Sequence, residues 1–426
     1  MTRWPPPSIS ALPSAGRACS SPIPGGWAAP RDATADSRRP GGISGRMDRR
    51  IWLLAGAQFA SATGAYAFTG MLAPLAADLG VSLATAGQLA AAYAVTYALA
   101  GAPAAALTAR VDRRLLLVIG LVLVGLLNLA TAFAPDFTSA LLLRVAAGAA
   151  VTLVLPGVAA SMIAPPQQRA KAMALVLSGL TVAFSFGIPL GTAIGGWFGW
   201  RACFVFGGVI ALVAAVAVQF GLPPLPSTDR GGAGSVRRVM RQEILLVLGT
   251  SLLSFAGLFC IAAYLGPIVT ATTGISGAGI GAIQAFVGIG SIAGIVIGGR
   301  AAATGGPVVP TALMLLLAAA LLGYSALLGF EPAFWHAIPL ATCVFAGSTA
   351  LFALAPINQT RLIGLAPEDR AVALALSGAV ALGGQGVGAA YGGAVIAAAG
   401  LAWTGVAGAM LAAVGAVLAW RAFSRG

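Results

Sequence analysis

The chain has 426 residues, of which 59% are hydrophobic and only 8% charged, with 24 basic residues against 11 acidic for a formal net charge of +13. Soluble domains carry about 25% charged residues, so a water-soluble globule is excluded, and the apolar fraction also excludes disorder along the whole chain. The basic excess does not indicate nucleic acid: all basic residues but Lys171 are arginines, set mostly in short gaps between apolar runs, without the basic stripe and interleaved aromatics of a nucleic-acid surface.

Residues 1–46 are rich in proline (Pro5, Pro6, Pro7, Pro13, Pro22, Pro24, Pro30 and Pro40) and hold no long apolar run. They cannot bury enough surface to order themselves and are expected to be a disordered tail, without the apolar core of a signal peptide. Met47-Asp48-Arg49-Arg50 leading into Ile51-Trp52-Leu53 has the look of a natural beginning. A bilayer-crossing helix needs about 20 apolar residues. Such runs fall at 51–74, 84–108, 115–134, 137–163, 171–197, 201–221, 243–269, 277–299, 307–329, 334–360, 371–398 and 401–421, twelve in all. The stretch 244–299 has no charge and is divided at Thr272-Thr273-Gly274-Ile275-Ser276-Gly277. The runs show no two-residue alternation, so helices, not a barrel, satisfy the backbone in lipid.

The gaps on one side carry Arg110, Arg113, Arg114, Arg169, Lys171, Arg230, Arg237, Arg238, Arg241, Arg300, Arg361 and Arg370, joined by Arg49, Arg50, Arg421 and Arg425 near the ends; the opposite gaps carry only Arg201. Positive loops stay inside, which predicts an inner-membrane, multi-pass chain with both termini cytoplasmic. An internal repeat sets the architecture. Pro156 precedes Arg169 and Leu175-Val176-Leu177-Ser178-Gly179, and about 200 residues later Pro356 precedes Arg370 and Leu374-Ala375-Leu376-Ser377-Gly378. The expected organisation is a tail (1–46), a six-helix bundle (47–221), a cytoplasmic linker rich in proline, glycine and arginine (222–241), and a second six-helix bundle (242–426). Two such halves around a central site form a transporter design.

Four segments carry further information. Asp78-Leu79-Gly80-Val81-Ser82 is followed by Ala86-Gly87. The loop after the second run reads Ala105-Ala106-Leu107-Thr108-Ala109-Arg110-Val111-Asp112-Arg113-Arg114. In the fifth run Gly187, Gly191 and Gly195 recur every fourth residue beside Pro189, and the eighth offers Gly290, Gly294 and Gly298. Small-residue stripes let helix backbones approach closely, and Pro189 removes a backbone donor and bends its helix; helices 5 and 8 are therefore expected to meet across the halves through these stripes. Arg144 lies within the fourth run. A membrane-embedded charge costs ~2.5–3.5 kcal/mol on insertion scales and is a functional candidate, although at about 10 Å from its helix start it could also snorkel to the outer surface.

Over essentially all of 47–426 these segments resemble the major facilitator superfamily, and within it the twelve-helix drug:proton antiporters and the arabinose-efflux-permease group. The resemblance implies an all-α membrane fold of twelve transmembrane helices in two pseudo-symmetric six-helix bundles. It implies gating roles for Arg110, Asp112 and Arg113, with Asp112 standing in for the acid that the family's loop motif places where this chain has Ala109. It implies the exporters' helix 5 motif at Gly187, Pro189, Gly191 and Gly195, and a proton-coupling arginine at Arg144. By the family's helix roles the cavity would be lined by Gln58, Tyr66, Tyr97, Tyr264, Gln284, Asn358 and Gln385, beside Phe255 and Phe259.

The acids argue against part of this. Asp32, Asp36, Asp48, Asp78, Asp112, Asp136, Asp229, Glu243, Glu331, Glu368 and Asp369 all lie away from the middle of a run, so no carboxylate is placed to exchange a proton for solute, and His336 sits at an outer helix end. The same distribution disfavours a strongly cationic solute. A lone histidine, no CxxC spacing and no P-loop leave no enzyme chemistry, cofactor or metal to expect. The reading is a secondary transporter exporting a small neutral or anionic, amphipathic or sugar-like solute by alternating access, acting as a monomer, with the bilayer and, through the resemblance, protons as partners. The alternatives are an uptake symporter or facilitator of the same fold, or a non-transporting receptor-like membrane protein.

Overall fold

The computed structural model describes residues 47–226, 239–303 and 305–424. The expectations for residues 1–46, for most of the linker, and for Arg230, Arg237, Arg238 and Arg425 fall outside the described residues. The described elements are all helical. Acids and a serine start four of them: Asp48 accepts a hydrogen bond from Arg50 N (2.9 Å), Asp112 from Leu115 N (3.0 Å), Asp136 from Ser139 N (2.8 Å) and Ser82 from Thr85 N (3.1 Å), each satisfying an amide that an N-terminus otherwise leaves open.

The first half holds α1 (Arg49–Tyr66, resumed as Leu72–Asp78), α2 (Leu83–Leu107), α3 (Arg113–Ala132), α4 (Phe137–Ala150, resumed as Pro156–Ile163), α5 (Arg169–Val182, resumed as Ile188–Phe198) and α6 (Trp200–Gly221). The second holds α7 (Gln242–Ala262, resumed as Leu265–Thr273), α8 (Gly279–Ala301), α9 (Val308–Leu327), α10 (Ala337–Leu365), α11 (Arg370–Ala399) and α12 (Thr404–Ser424). Eleven of these, α2 to α12, are long and apolar enough to cross a membrane; α1, interrupted between Tyr66 and Leu72, completes the twelve. The chargeless stretch is divided where the sequence divides it. Gly274 and Gly277 there take φ of 73° and 58°, a left-handed backbone that glycine adopts without steric penalty, and this reverses the chain between α7 and α8.

Packing repeats between the halves. α1 lies on α5 and α6, α2 on α4, and α3 on α4 and α6; α7 lies on α11 and α12, α8 on α10, and α9 on α10 and α12. Raising every label of the first set by six gives the second. The main joins between halves are α2 with α11 and α5 with α8, and the same shift exchanges these two, as a pseudo-twofold requires.

Helices 5 and 8 do meet, but not through the expected stripes. Gly187, Gly191 and Gly195 face α1, against Thr63, Ala67 and Met71, while Gly290, Gly294 and Gly298 face α10, against Ser348, Thr349 and Ala353. The α5–α8 join instead places Gly288 on Ser185, Gly281 on Pro189 and Gly196 on Gly277 and Ala278. Each helix has more than one small-residue face, and the stripes with a four-residue repeat are used inside the halves, where contact runs along most of the helix.

Candidate functional site

The halves close on each other at the end away from the arginine-rich loops. There the break in α1 meets the resumed part of α7 backbone to backbone, a methyl group on Gly266 running into the Gly70 carbonyl, and α5 meets the turn before α8, one on Gly196 running into Gly277 and Ala278. Behind this closure lies a cavity of about 270 Å³ walled by α5, α7, α8, α9, α10 and α11. Phe184, Phe255, Phe259, Phe352, Leu258 and Val287 give it an apolar surface, and Gln385 and Ser348 are among its few polar groups. Ser348 turns its hydroxyl back to Val344 O of its own helix (2.6 Å). The wall includes Leu177, which is 53% exposed, and Gly378, nine residues into α5 and α11 respectively from their arginine-bearing starts. A second, smaller void of about 40 Å³ adjoins it, lined by Tyr66, Thr69, Ile188 and Gln284. Phe184, Phe259, Ala262, Leu265 and Val287 line both spaces.

Aromatic side chains span the gap between halves at this level. Tyr66 of α1 lies 5.6 Å from Phe259 of α7, and Phe184 of α5 meets Phe352 of α10 edge-on at 5.7 Å. Two hydrogen bonds also cross: Tyr66 Oη donates to Gln385 Oε1 (2.7 Å) and Thr192 Oγ1 donates to Gln284 Oε1 (2.6 Å).

Of the residues singled out in the sequence, Tyr66, Gln284 and Gln385 line the two spaces, as do Phe255 and Phe259. The others lie outside these walls. Gln58 packs near Gly179 of α5. Tyr97 stands edge-on to Tyr93 at 6.5 Å. Tyr264 is fully buried, donates to Ala389 O (2.9 Å) and wedges between Gly87 and Gly393, holding α7 to α11 against α2. Asn358 donates to Ser251 Oγ (2.9 Å) inside the second half. Thr192, Phe184 and Phe352 were missed; Thr192 stands one residue after Gly191, and nothing in the periodicity marks the two phenylalanines.

Arg144 does not snorkel. Its side chain is fully buried and points into the first half, donating to Ala65 O (2.5 Å), Leu89 O (3.4 Å) and Gly64 O (3.5 Å). The guanidinium lies 4.4 Å from the centre of the Tyr93 ring, 5.1 Å from Phe68 and 5.9 Å from Phe204. The cause is the break in α1. Gly64 and Ala65 lie in the last turn of its first segment, where carbonyls lack helical partners, and a cation at a helix C-terminus is favourable. The aromatic faces add cation–π attraction. Tyr93 carries a signal that could have been read, since it lies one turn from Tyr97 on the same face of α2.

The loop between α2 and α3 is held by the first half and the beginning of the linker. Arg113 donates through its side chain to Ala109 O (3.3 Å) and through its backbone to Leu225 O (2.9 Å), Arg114 reaches Gln219 O, and Asp112 caps α3. Arg110 lies in the same turn. At the other end Asp78 pairs with Arg201 and accepts from Trp200 Nε1 (3.1 Å), tying α1 to α6; these bonds hold its carboxyl below the usual carboxylate range.

The sequence model of the Major Facilitator Superfamily matches residues 54–355. The chain belongs to that superfamily. It is 31% identical over 363 residues to a chloramphenicol resistance protein of Streptomyces lividans, covering 81% of this chain and 88% of that one. It is 30% identical over 387 residues to the inner membrane transport protein YdhP of Escherichia coli (strain K12), covering 88% and 95%. Among solved structures, a bacterial homologue of the human lysosomal transporter Spinster, inward-facing and unoccupied, superposes with a TM-score of 0.71 at 17% identity, covering 88% of this chain and 97% of that one. The protein is thus a multi-pass membrane transporter of the major facilitator fold, in two pseudo-symmetric six-helix bundles.

Proposed function

We propose that this transporter exports a small, uncharged, largely apolar solute by alternating access, as a monomer of the bacterial inner membrane with both termini in the cytoplasm. The arginine-bearing loops support that orientation, and with it the cavity belongs to an inward-facing form sealed outside at Gly70–Gly266. The observation that carries the solute class is the wall: phenylalanines and aliphatic residues with few polar groups, which matches the apolar pockets that take small organic molecules. A sugar would leave most of its hydroxyls without partners there. Arg144 is turned into the first half and lies outside the cavity wall, so it gives an anionic solute no charge to meet. The Streptomyces relative's name, chloramphenicol resistance protein, fits efflux of such a solute.

The gating roles of Arg110, Asp112, Arg113, Gly187, Pro189, Gly191 and Gly195 belong to the same proposal, with the loop residues and the glycine stripe moving as parts of the first half. A second reading, facilitated export without proton exchange, is favoured by one observation: Asp48, Asp112 and Asp136 are spent on helix caps and Asp78 on an ion pair. Purified protein in proteoliposomes, loaded with chloramphenicol and assayed for exchange of the radiolabelled compound, tests the proposal. Protein-dependent exchange is expected. Its absence for chloramphenicol and for a panel of neutral amphipathic compounds refutes export and returns the receptor-like alternative. Acceleration by an imposed proton gradient refutes the facilitated reading alone.

A further inference from the structure

The two glutamines of the cavity are built alike. Each stands in the second half and is held through its side-chain oxygen by a hydroxyl from the first: Gln385 on α11 by Tyr66 of α1, Gln284 on α8 by Thr192 of α5. A glutamine amide has two N–H donors besides its oxygen. In both residues the oxygen is engaged, and the amide nitrogen donates to no protein atom among the described residues. Gln284 is only 3% exposed. Neither nitrogen is among the fully enclosed polar atoms left without a partner, and both side chains line empty space: Gln385 the larger cavity, Gln284 the smaller void beyond it. Phe184 and Phe259 line both spaces and stand between the two amides.

We propose that Gln385 and Gln284 are successive hydrogen-bond donor stations for the transported solute, which is an uncharged molecule with an apolar, ring-bearing body and an acceptor such as a carbonyl or ether oxygen. This rests on the proposed transport through the cavity and adds the recognition chemistry. The amide N–H of Gln385 meets the acceptor while the body lies on Phe255, Phe259 and Phe352. When the halves rock and the Phe184–Phe259 partition opens, the acceptor passes to Gln284 on the outer side. Tyr66 and Thr192 act as positioning residues: by occupying each amide oxygen they direct the nitrogen, not the oxygen, into the path. A solute offering only donors meets at each station an amide oxygen that already accepts one hydrogen bond, and a cation meets no carboxylate among the lining residues.

The test uses the full chain in detergent and three soluble probes of similar size: N-benzylacetamide, its hydrocarbon analogue butylbenzene, and benzyltrimethylammonium. Binding is read as ligand-dependent thermal stabilisation, and the quantity followed is the ratio of half-saturating concentrations. The wild-type protein should favour the amide over the hydrocarbon by about tenfold, the value of one good hydrogen bond. In Gln385→Leu that preference should disappear while butylbenzene binding is retained or improved. Tyr66→Phe, which keeps the glutamine but frees its oxygen, should reduce the preference severalfold. Damage to packing alone would weaken both neutral probes together, so an unchanged ratio in Gln385→Leu overturns the inference. So does a wild-type preference for the cation or the hydrocarbon. For Gln284, amide exchange in proteoliposomes should slow in Gln284→Leu with binding to the inward-facing form unchanged; an unaffected rate removes Gln284 from the scheme. A wild-type chain that binds the amide but moves no solute would leave the recognition chemistry standing and overturn transport.

Discussion

The closure at Gly70–Gly266 makes a quantitative prediction about the conformational balance. Replacing Gly266 by alanine puts a methyl group against the carbonyl oxygen, carbonyl carbon and Cα of Gly70. All three are backbone atoms, which cannot swing aside as a side-chain tip can. Overpacking of this kind costs typically about 1–3 kcal/mol. The cost falls on the form in which the outer ends touch and is relieved when they part. At 1.4 kcal/mol per factor of ten, the outward-open population should rise about 5- to 150-fold. Thr69 borders the small void beside this closure and is 5% exposed, so labelling of a Thr69→Cys variant by a water-soluble maleimide reports on that opening. Its rate should increase by the same factor when Gly266→Ala is added. Gly364→Ala is the control, because an added methyl there meets nothing within 4 Å. An unchanged labelling rate in the Gly266 variant, or an equal rise in the control, would show that the Gly70 contact does not hold the outer end shut.

Three further outcomes follow from side chains described above. Arg144→Gln should lower the thermal midpoint, since it strips the charged donor from the Gly64 and Ala65 carbonyls at about 1–3 kcal/mol for each group left unsatisfied; a raised midpoint in thermal unfolding would show that burying the guanidinium costs more than its bonds return. Thr63 Oγ1 is buried with no hydrogen-bond partner among the described residues, so the near-isosteric Thr63→Val should leave stability unchanged or raise it by about 1 kcal/mol, and a clear loss in the same assay contradicts this. Asp78 has a depressed pKa, chiefly from its hydrogen bond to Arg201 and then that from Trp200. Its contribution is therefore full above the unfolded-state value of about 3.9 and disappears as pH falls through the lower folded value. The midpoint difference between wild type and Asp78→Asn should be present at neutral pH and shrink towards pH 3; a difference that grows on acidification is the wrong sign.

What could be read from the sequence was the part governed by the chain's relation to lipid. Helix limits followed the apolar runs where a charge or a capping residue ends them, as Asp48, Asp112 and Asp136 do at helix starts, and Gly274 and Gly277 turn the chain where no charge marks the boundary. Partners were harder. A glycine stripe shows that a helix packs closely but not on what, and in a chain with 58 glycines the stripes of α5 and α8 each had several possible neighbours. The direction of Arg144 was open for a related reason: distance along α4 allowed either an interior or a surface position, and the choice is set by the break in α1, with Phe68 in it, and by Tyr93 of α2 and Phe204 of α6. Gln284 and Gln385 were named through the resemblance, as polar side chains on helices that the family's helix roles place around the cavity. Their pairing with hydroxyls 92 and 319 residues away was not legible.

The break in α5 gives the last test. Pro189 has no N–H to return to the preceding turn, and just before it the ladder slips to the wider i→i+5 spacing over Ala183–Gly187, with Ile188 N bonded to Ala183 O. Such π turns tend to occur at functional sites, and this one carries Phe184 into the wall shared by the two spaces while setting Ser185 on Gly288 of the other half. Two causes are therefore available, the missing donor and the seat on Gly288. Pro189→Ala restores the donor. If the proline sets the turn, α5 tightens to regular α spacing, which turns the residues before it by about 100° relative to those after it and takes Phe184 out of the wall. Solute exchange should then fall at least tenfold while the thermal midpoint holds or rises. If Gly288 sets the turn, exchange survives Pro189→Ala but not Gly288→Ala, where the new methyl would strike Ser185. Loss of exchange in neither variant would mean that the aromatic partition does not depend on the turn and that Phe184 does not gate the path.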